Sequence, residues 1–237
     1  MQELVCRAIL FDMDGVLVDS TACVERHWRR WAARHGLDAE LILAHSHGKR
    51  SIDTLREVAA HLELDLEREA RLLEEEETKD LEGIVALPGA LELVTALPPE
   101  SWAVVTSATF GMAETRLRAV GLPLPRAFVT AEEVRRGKPD PEGYLKAATL
   151  LEVAPQDCLV IEDAPPGIQA AHAGHMRVLA LTTTFPAETV RDADIVTTGL
   201  HTVSLTIKPD QTRRLPGLIL TIGKQRHEHA FFSDSSR

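Results

Sequence analysis

Aromatic residues are scarce in this chain, with six Phe, three Trp and one Tyr among 237 residues, so its core must be built mostly from Leu, Val, Ile and Ala. Cysteine is sparser still. Cys6, Cys23 and Cys158 are odd in number and lack metal-type spacing, which argues against a disulfide framework, marks them as packing residues and points to a reducing compartment. No apolar run is long enough to cross a bilayer, and the N-terminus has no signal-peptide pattern, so a soluble, cytoplasmic protein without a membrane partner is expected. Basic charge is also in deficit: 26 Lys and Arg against 36 Asp and Glu leave a net charge of -10, unlike a general nucleic-acid binder. That balance does not exclude a small anionic substrate, because local charge in a cleft can oppose the global sign. Neither a GxxxxGK nor a GxGxxG loop is present, which removes the usual nucleotide-binding readings.

What the chain does contain is a set of short, fully apolar runs. Ala8 to Phe11 in "RAILFDMDGVLVDS" reads as a parallel strand buried on both faces, and "WAVVTS" (102–107), "CLVIED" (158–163) and "MRVLAL" (176–181) repeat the pattern. Helical stretches connect them. Asp140 and Pro141 open the one in "DPEGYLKAATLLEV", Gly174 closes "APPGIQAAHAG", and Gly121 stops "AETRLRAVG". Strands alternating with helices imply an α/β fold with a parallel sheet covered on both sides. From about Thr21 to Leu81 the pattern changes to apolar residues at helical spacing, with Gly36 ending the first helix, which reads as a helical insert joined near Val18–Ser20 and Ile84–Gly89. The run Glu74 to Glu77 within it reads as a solvated helix face, and Trp28 and Trp31 as packing residues rather than sugar-stacking ones. After Ile207, "KPDQTRRLPG" reads as a connector and "LILTIG" as a strand or a surface-packed segment. The last residues are read as a partly disordered tail, whose His227 and His229 are too few to make a metal site.

In an open parallel sheet, ligands bind beyond the carboxyl ends of the strands. That rule gathers Asp12 and Asp14, Thr106 and Ser107, and Glu162 and Asp163, with Lys138 of "RRGKPDP" within reach from a loop before a helix. Four carboxylates crowded together require a cation, and an all-oxygen site suits Mg²⁺, which shares oxygens with a phosphate. Lys138 then balances charge and holds a phosphoryl oxygen, while Thr106 and neighbouring backbone N–H groups add donors. The set suits phosphoryl transfer, in which a protein mainly positions groups and neutralises charge.

"FDMDGVLVD", "VVTS", "GKPDP" and "IEDAPPGIQAA", in that order, resemble the haloacid dehalogenase-like phosphohydrolase superfamily across roughly residues 5 to 200. The resemblance implies a Rossmann-like core of residues 1–17 and 87–207, a helical cap domain of residues 18–86, and an extension of residues 208–237. It makes Asp12 the nucleophile that forms an aspartyl-phosphate, and Asp14 the acid and then the base. Mg²⁺ would be held by the Asp12 side chain, the Asp14 carbonyl and Asp163, with Glu162 as a direct or water-mediated ligand. Thr106, Ser107 through its backbone N–H, and Lys138 would bind the phosphoryl group. An aspartate at position 14 disfavours the metal-free dehalogenases, which lack one there.

In the insert, "HSHGKRSIDTLRE" presents His47, Lys49 and Arg50 in a loop, with Ser51 read as the cap of the next helix; all three are candidates for contact with the substrate. "HGKR", "TAEEVRRGKPDPEGYL" and "EDAPPGI" resemble bacterial sugar phosphatases and their yeast glycerol-phosphate and deoxyglucose-phosphate relatives. The implied protein is a Mg²⁺-dependent sugar or polyol phosphatase, a monomer or weak homo-oligomer. A phosphomutase like beta-phosphoglucomutase shares the four motifs but has a histidine in the first cap helix where this chain has Val24. A non-catalytic member of the fold should have lost the nucleophile or the acid, and both are present.

Overall fold

The computed structural model describes residues 2–210 and 214–223. Among them the parallel sheet has six strands: β2 (Ala8–Phe11), β5 (Trp102–Val105), β6 (Ala127–Val129), β7 (Cys158–Glu162), β8 (Arg177–Leu181) and β9 (Ile195–Thr197). Their spatial order is β6-β5-β2-β7-β8-β9, with every neighbouring pair parallel. Relabelled by order along the chain this is 3-2-1-4-5-6, which puts the reversal of winding between β2 and β7. The four apolar runs therefore form four of the six strands. The other two, β6 and β9, are three residues each, too short to give a periodic signal.

Successive residues of a strand face opposite sides, and each face here builds its own core. Ile9, Phe11, Val104, Leu159 and Ile161 pack on one side with α5 (Ala90–Ala96) and α6 (Phe110–Ala119). Ala8, Leu10, Ala103, Val105 and Val160 pack on the other with α7 (Glu142–Leu151) and α8 (Pro165–Ala173). Asp140 Oδ1 accepts the Glu142 N–H at 3.0 Å, but α7 starts one residue later than expected, with Pro141 rather than Asp140 at the cap, whereas Gly174 closes α8 as expected.

The chain leaves the sheet through β3 (Val18–Asp19) and returns through β4 (Val85–Ala86), and the two pair antiparallel as adjoining stalks. Between them lie α1 (Thr21–His35), α2 (Ala39–Ser46), α3 (Ser51–Val58) and α4 (Leu66–Lys79), closed over their own apolar cluster that includes Trp28, Trp31, Leu55 and Leu73. Gly36, at φ 66°, ends α1. Trp31 is fully buried, with Nε1 donating to Glu69 at 2.9 Å. Ser51 is not a cap: Arg50 holds that position, without a side-chain bond. Glu77 departs from the solvated-face reading. It is 5% exposed and faces Arg116 on α6, because it continues the buried face of α4 begun by Ala70 and Leu73, where the helix packs against α6.

The segment after Ile207 is not simply an extension. Gly217–Ile222 forms β11, the middle strand of an antiparallel sheet with β1 (Gln2–Cys6) and β10 (Val203–Lys208). Leu218 and Leu220 are fully buried against the first of the two cores, and this apolar alternation is what ties the segment down. Residues 224–237, including His227 and His229, lie outside the described residues.

Candidate active site

The winding reversal opens the sheet at the carboxyl ends of β2 and β7, and the candidate residues meet there. Lys138 Nζ lies 2.8 Å from Asp12 Oδ1 and 2.7 Å from Glu162 Oε1, joining the two strand ends with one ammonium. All three residues are buried. Burial opposes the charge on Lys138, but the carboxylates of Asp12 and Glu162 outweigh it and hold its pKa above that of an ordinary lysine. Burial pushes the Asp12 carboxyl up to about 7 against the pull of Lys138. Asp163 is pushed well above the usual carboxylate range by burial and by the neighbouring Glu162 and Asp12, with a Thr184 hydrogen bond pulling the other way.

Glu162 is the most fully engaged group in the site. Its Oε1 accepts from Lys138 and, at 2.7 Å, from the Tyr144 hydroxyl; its Oε2 accepts the backbone N–H groups of Asp163 at 3.0 Å and Ala164 at 3.3 Å. Helix α8 comes so close that a Cβ on Gly167 would lie 1.6 Å from Glu162 Oε1, so only glycine fits. Four donors fix this carboxylate as the anchor of Lys138 and leave it little capacity to bind an ion directly. Asp163 is the reverse case: its Oδ1 is buried with no hydrogen-bond partner. Ligand atoms of Asp12, Glu162 and Asp163 lie within 4.8 Å of one another. An acidic cluster with an orphaned oxygen is a fitting place for a hard cation such as Mg²⁺. Gly15, at φ 78°, lets the loop after β2 pass over Asp163, whose Oδ2 would lie 2.0 Å from a Cβ there.

Asp14 stands apart from this cluster. Its Oδ1 accepts from Ser20 Oγ at 2.6 Å and from Arg116 Nη1 at 3.0 Å, and its side chain remains 29% exposed to the cleft. Thr106 is buried, and its Oγ1 accepts the Ala108 N–H at 3.1 Å. Ser107 Oγ donates to the Gly48 carbonyl at 3.0 Å, tying the sheet to the insert. The cleft is lined from the sheet by Asp12, Asp14, Thr106, Ser107 and Asp163, and from the insert by Val24, Trp28, His47, Lys49 and Glu74.

The three candidate residues of the insert divide. His47 lines the cleft with its ring edge-on to Phe185 at 5.6 Å, and burial lowers its pKa below 6.5. Lys49 lines the cleft too, though its ammonium is held by Glu57 at 2.7 Å. Arg50 is engaged elsewhere: its guanidinium grips Asp53 through Nε at 2.6 Å and Nη2 at 3.0 Å, and donates to the carbonyls of Val134 and Arg135 at 3.3 Å. A carboxylate three residues along the chain satisfies the guanidinium fork, so Arg50 latches the insert to the loop before Lys138; it does not line the cleft but lines an adjoining pocket with Thr106, Ser107 and Lys138. Tyr144, Ser20, Thr184 and Arg116 escaped sequence reasoning. Tyr144 and Ser20 lie in stretches already singled out by motif, whereas nothing in the sequence marks Arg116.

Comparisons with known proteins agree with this geometry. Residues 6–175 match the family model described as haloacid dehalogenase-like hydrolase. Hexitol phosphatase A of Escherichia coli is 45% identical over 210 residues, covering 86% of this chain and 96% of that protein. 2-Deoxyglucose-6-phosphate phosphatase 2 of Saccharomyces cerevisiae is 33% identical, covering 83% and 89%. A crystal structure of a hydrolase from Pseudomonas syringae superposes with a TM-score of 0.72 at 27% identity, covering 82% of this chain and 94% of that one. The chain belongs to the haloacid dehalogenase-like hydrolase family.

Proposed function

We propose that this hydrolase removes phosphate from small phosphate monoesters, most suitably sugar or polyol phosphates, through an aspartyl-phosphate on Asp12. The observation that carries the reading is Lys138, buried and bonded at once to Asp12 and to the fully engaged Glu162, at the point where the sheet reverses its winding. An ammonium so fixed, beside Thr106 and the Ser107 N–H, is suited to hold phosphoryl oxygens while Asp12 faces phosphorus.

In this reading an Asp12 oxygen attacks phosphorus and the ester P–O bond breaks. The electron pair leaves with the alkoxide, and Asp14 donates the proton that makes it an alcohol. Asp14, now a carboxylate, takes a proton from water as its oxygen attacks phosphorus, and phosphate departs with Asp12 restored. Asp12, Asp163 and the Asp14 carbonyl would hold Mg²⁺, which when bound neutralises charge on the phosphoryl group and the crowded acids. Phosphate monoesters are among the slowest uncatalysed hydrolyses, needing accelerations of up to roughly 10²¹, so a covalent route aided by charge neutralisation is proportionate.

The choice of substrate class is supported by the named activities of the two relatives and by the polar wall of the insert. There His47, Ser51 and Glu74 offer hydrogen-bonding groups suited to hydroxyls. The same reading treats residues 18–86 as a cap over a core of residues 1–17 and 87–207, to which β11 also belongs. A cytoplasmic location is part of it, supported by three cysteines that are all free and buried. The test is phosphate release from a hexitol phosphate and from 2-deoxyglucose 6-phosphate by the purified protein with Mg²⁺. Turnover that stops with EDTA and is abolished in a folded Asp12→Asn variant is expected. Isomer formation without free phosphate, or no turnover of any phosphate monoester, overturns the reading.

A further inference from the structure

Asp14 is held by a chain of contacts that runs along the wall of the cleft into the insert, through Arg116 and Glu77, which line it too. Arg116, on α6, is 2% exposed and spends its guanidinium on two carboxyl groups: Nη1 on Asp14 Oδ1 at 3.0 Å and Nη2 on Glu77 Oε2 of α4 at 2.9 Å. Glu77 is buried as well. Removing one member of such a buried pair strands the other, so the pair is demanding to build and to keep. Ser20 Oγ adds a second bond to the same Asp14 oxygen at 2.6 Å. Among the described residues no protein group bonds Oδ2. Two donors on one oxygen set the rotation of the carboxyl and leave the other oxygen for chemistry.

We propose that Arg116, clamped by Glu77, is a positioning residue that fixes which oxygen of Asp14 meets the leaving group, so that proton transfer depends on the seating of α4 against α6. This rests on the reading of Asp14 as the acid. Its consequence is selective. A sugar or polyol alkoxide needs the proton as the P–O bond breaks, whereas p-nitrophenolate leaves without one. A residue needed only for folding would lower both reactions together.

The experiment compares kcat/KM, which reports the step up to formation of the aspartyl-phosphate, for a hexitol phosphate and for p-nitrophenyl phosphate with Mg²⁺. The variants are Arg116→Lys, Arg116→Ala and Glu77→Gln, with Asp14→Asn as reference. Lysine keeps the charge but cannot span two carboxyl groups as a guanidinium does. General acid catalysis is worth about 10²–10⁴-fold. Arg116→Lys and Arg116→Ala are therefore expected to lose about 10²-fold on the hexitol phosphate and far less on the aryl ester, and Glu77→Gln to show the same bias to a smaller extent. Where Arg116→Ala does not fold, Arg116→Lys and Glu77→Gln decide the matter, with circular dichroism to establish that they are folded. Equal losses on both substrates, or no loss on either, overturn the inference while Asp14→Asn remains selective. An Asp14→Asn variant without selective loss instead overturns the underlying reading of Asp14.

Discussion

Replacing Glu162 with Gln separates two roles that an acidic residue beside Asp163 could have. The carboxylate takes four donors, two on each oxygen. A glutamine carries one oxygen and one NH₂. If its oxygen faces Lys138 and Tyr144, its NH₂ faces the N–H groups of Asp163 and Ala164, and two buried donors lose their acceptor. Hydrogen bonds to a charged group are worth about 1.5–3 kcal/mol each, so two give about 3–6 kcal/mol, and breaking a buried ion pair costs about 3–5 kcal/mol; the range common to both is about 3–5 kcal/mol. For a chain of this length each kcal/mol lowers Tm by about 2–4 °C, so calorimetry should find Tm lower by roughly 6–20 °C. Mg²⁺ titration of the folded variant should show far less loss of affinity than Asp163→Asn, whose wild-type oxygen is the orphaned one. An unchanged Tm together with lost Mg²⁺ binding would refute the reasoning and make Glu162 a metal ligand.

Two further outcomes follow from local geometry. Gly167→Ala, which in an ordinary helix would stabilise, should destabilise by about 1–3 kcal/mol in chemical denaturation, because the new methyl meets a carboxylate that four donors hold in place; unchanged or raised stability would show that Glu162 can move. His47 should titrate below 6.5 in an NMR experiment on the free protein, since burial disfavours its charged form. A base whose folded pKa is depressed contributes stability above its unfolded pKa and loses it as pH falls, so His47→Gln should reduce the acid-side loss of stability; a midpoint at or above 6.5 counts against this.

The strand ends were legible because two local rules suffice to place them. A short apolar run bounded by acids reads as a buried parallel strand, and a parallel sheet binds ligands at its carboxyl edge. Asp12, Asp14, Thr106, Ser107, Glu162 and Asp163 were thereby brought to one edge without knowledge of strand order, and helical spacing marked the insert at Thr21 to Leu81. The fate of long charged side chains was not legible. Arg50 and Arg116 have the same chemistry, yet one closes on a neighbour three residues away while the other reaches Asp14 across 102 positions. Glu77 looked like one acid in a solvated run until α4 was packed against α6.

The sequence by itself therefore determined the chemistry: which acids, which lysine, and that they share an edge, because those depend on residue type and on the periods of strand and helix. Tertiary structure alone decided the division of labour among them. It made Glu162 the anchor of Lys138, left Asp163 with an open oxygen, and joined Asp14 to the insert through Arg116. The physical reason is that a carboxylate's role is set by how many donors reach each of its oxygens, and those donors arrive from parts of the chain that only folding brings together.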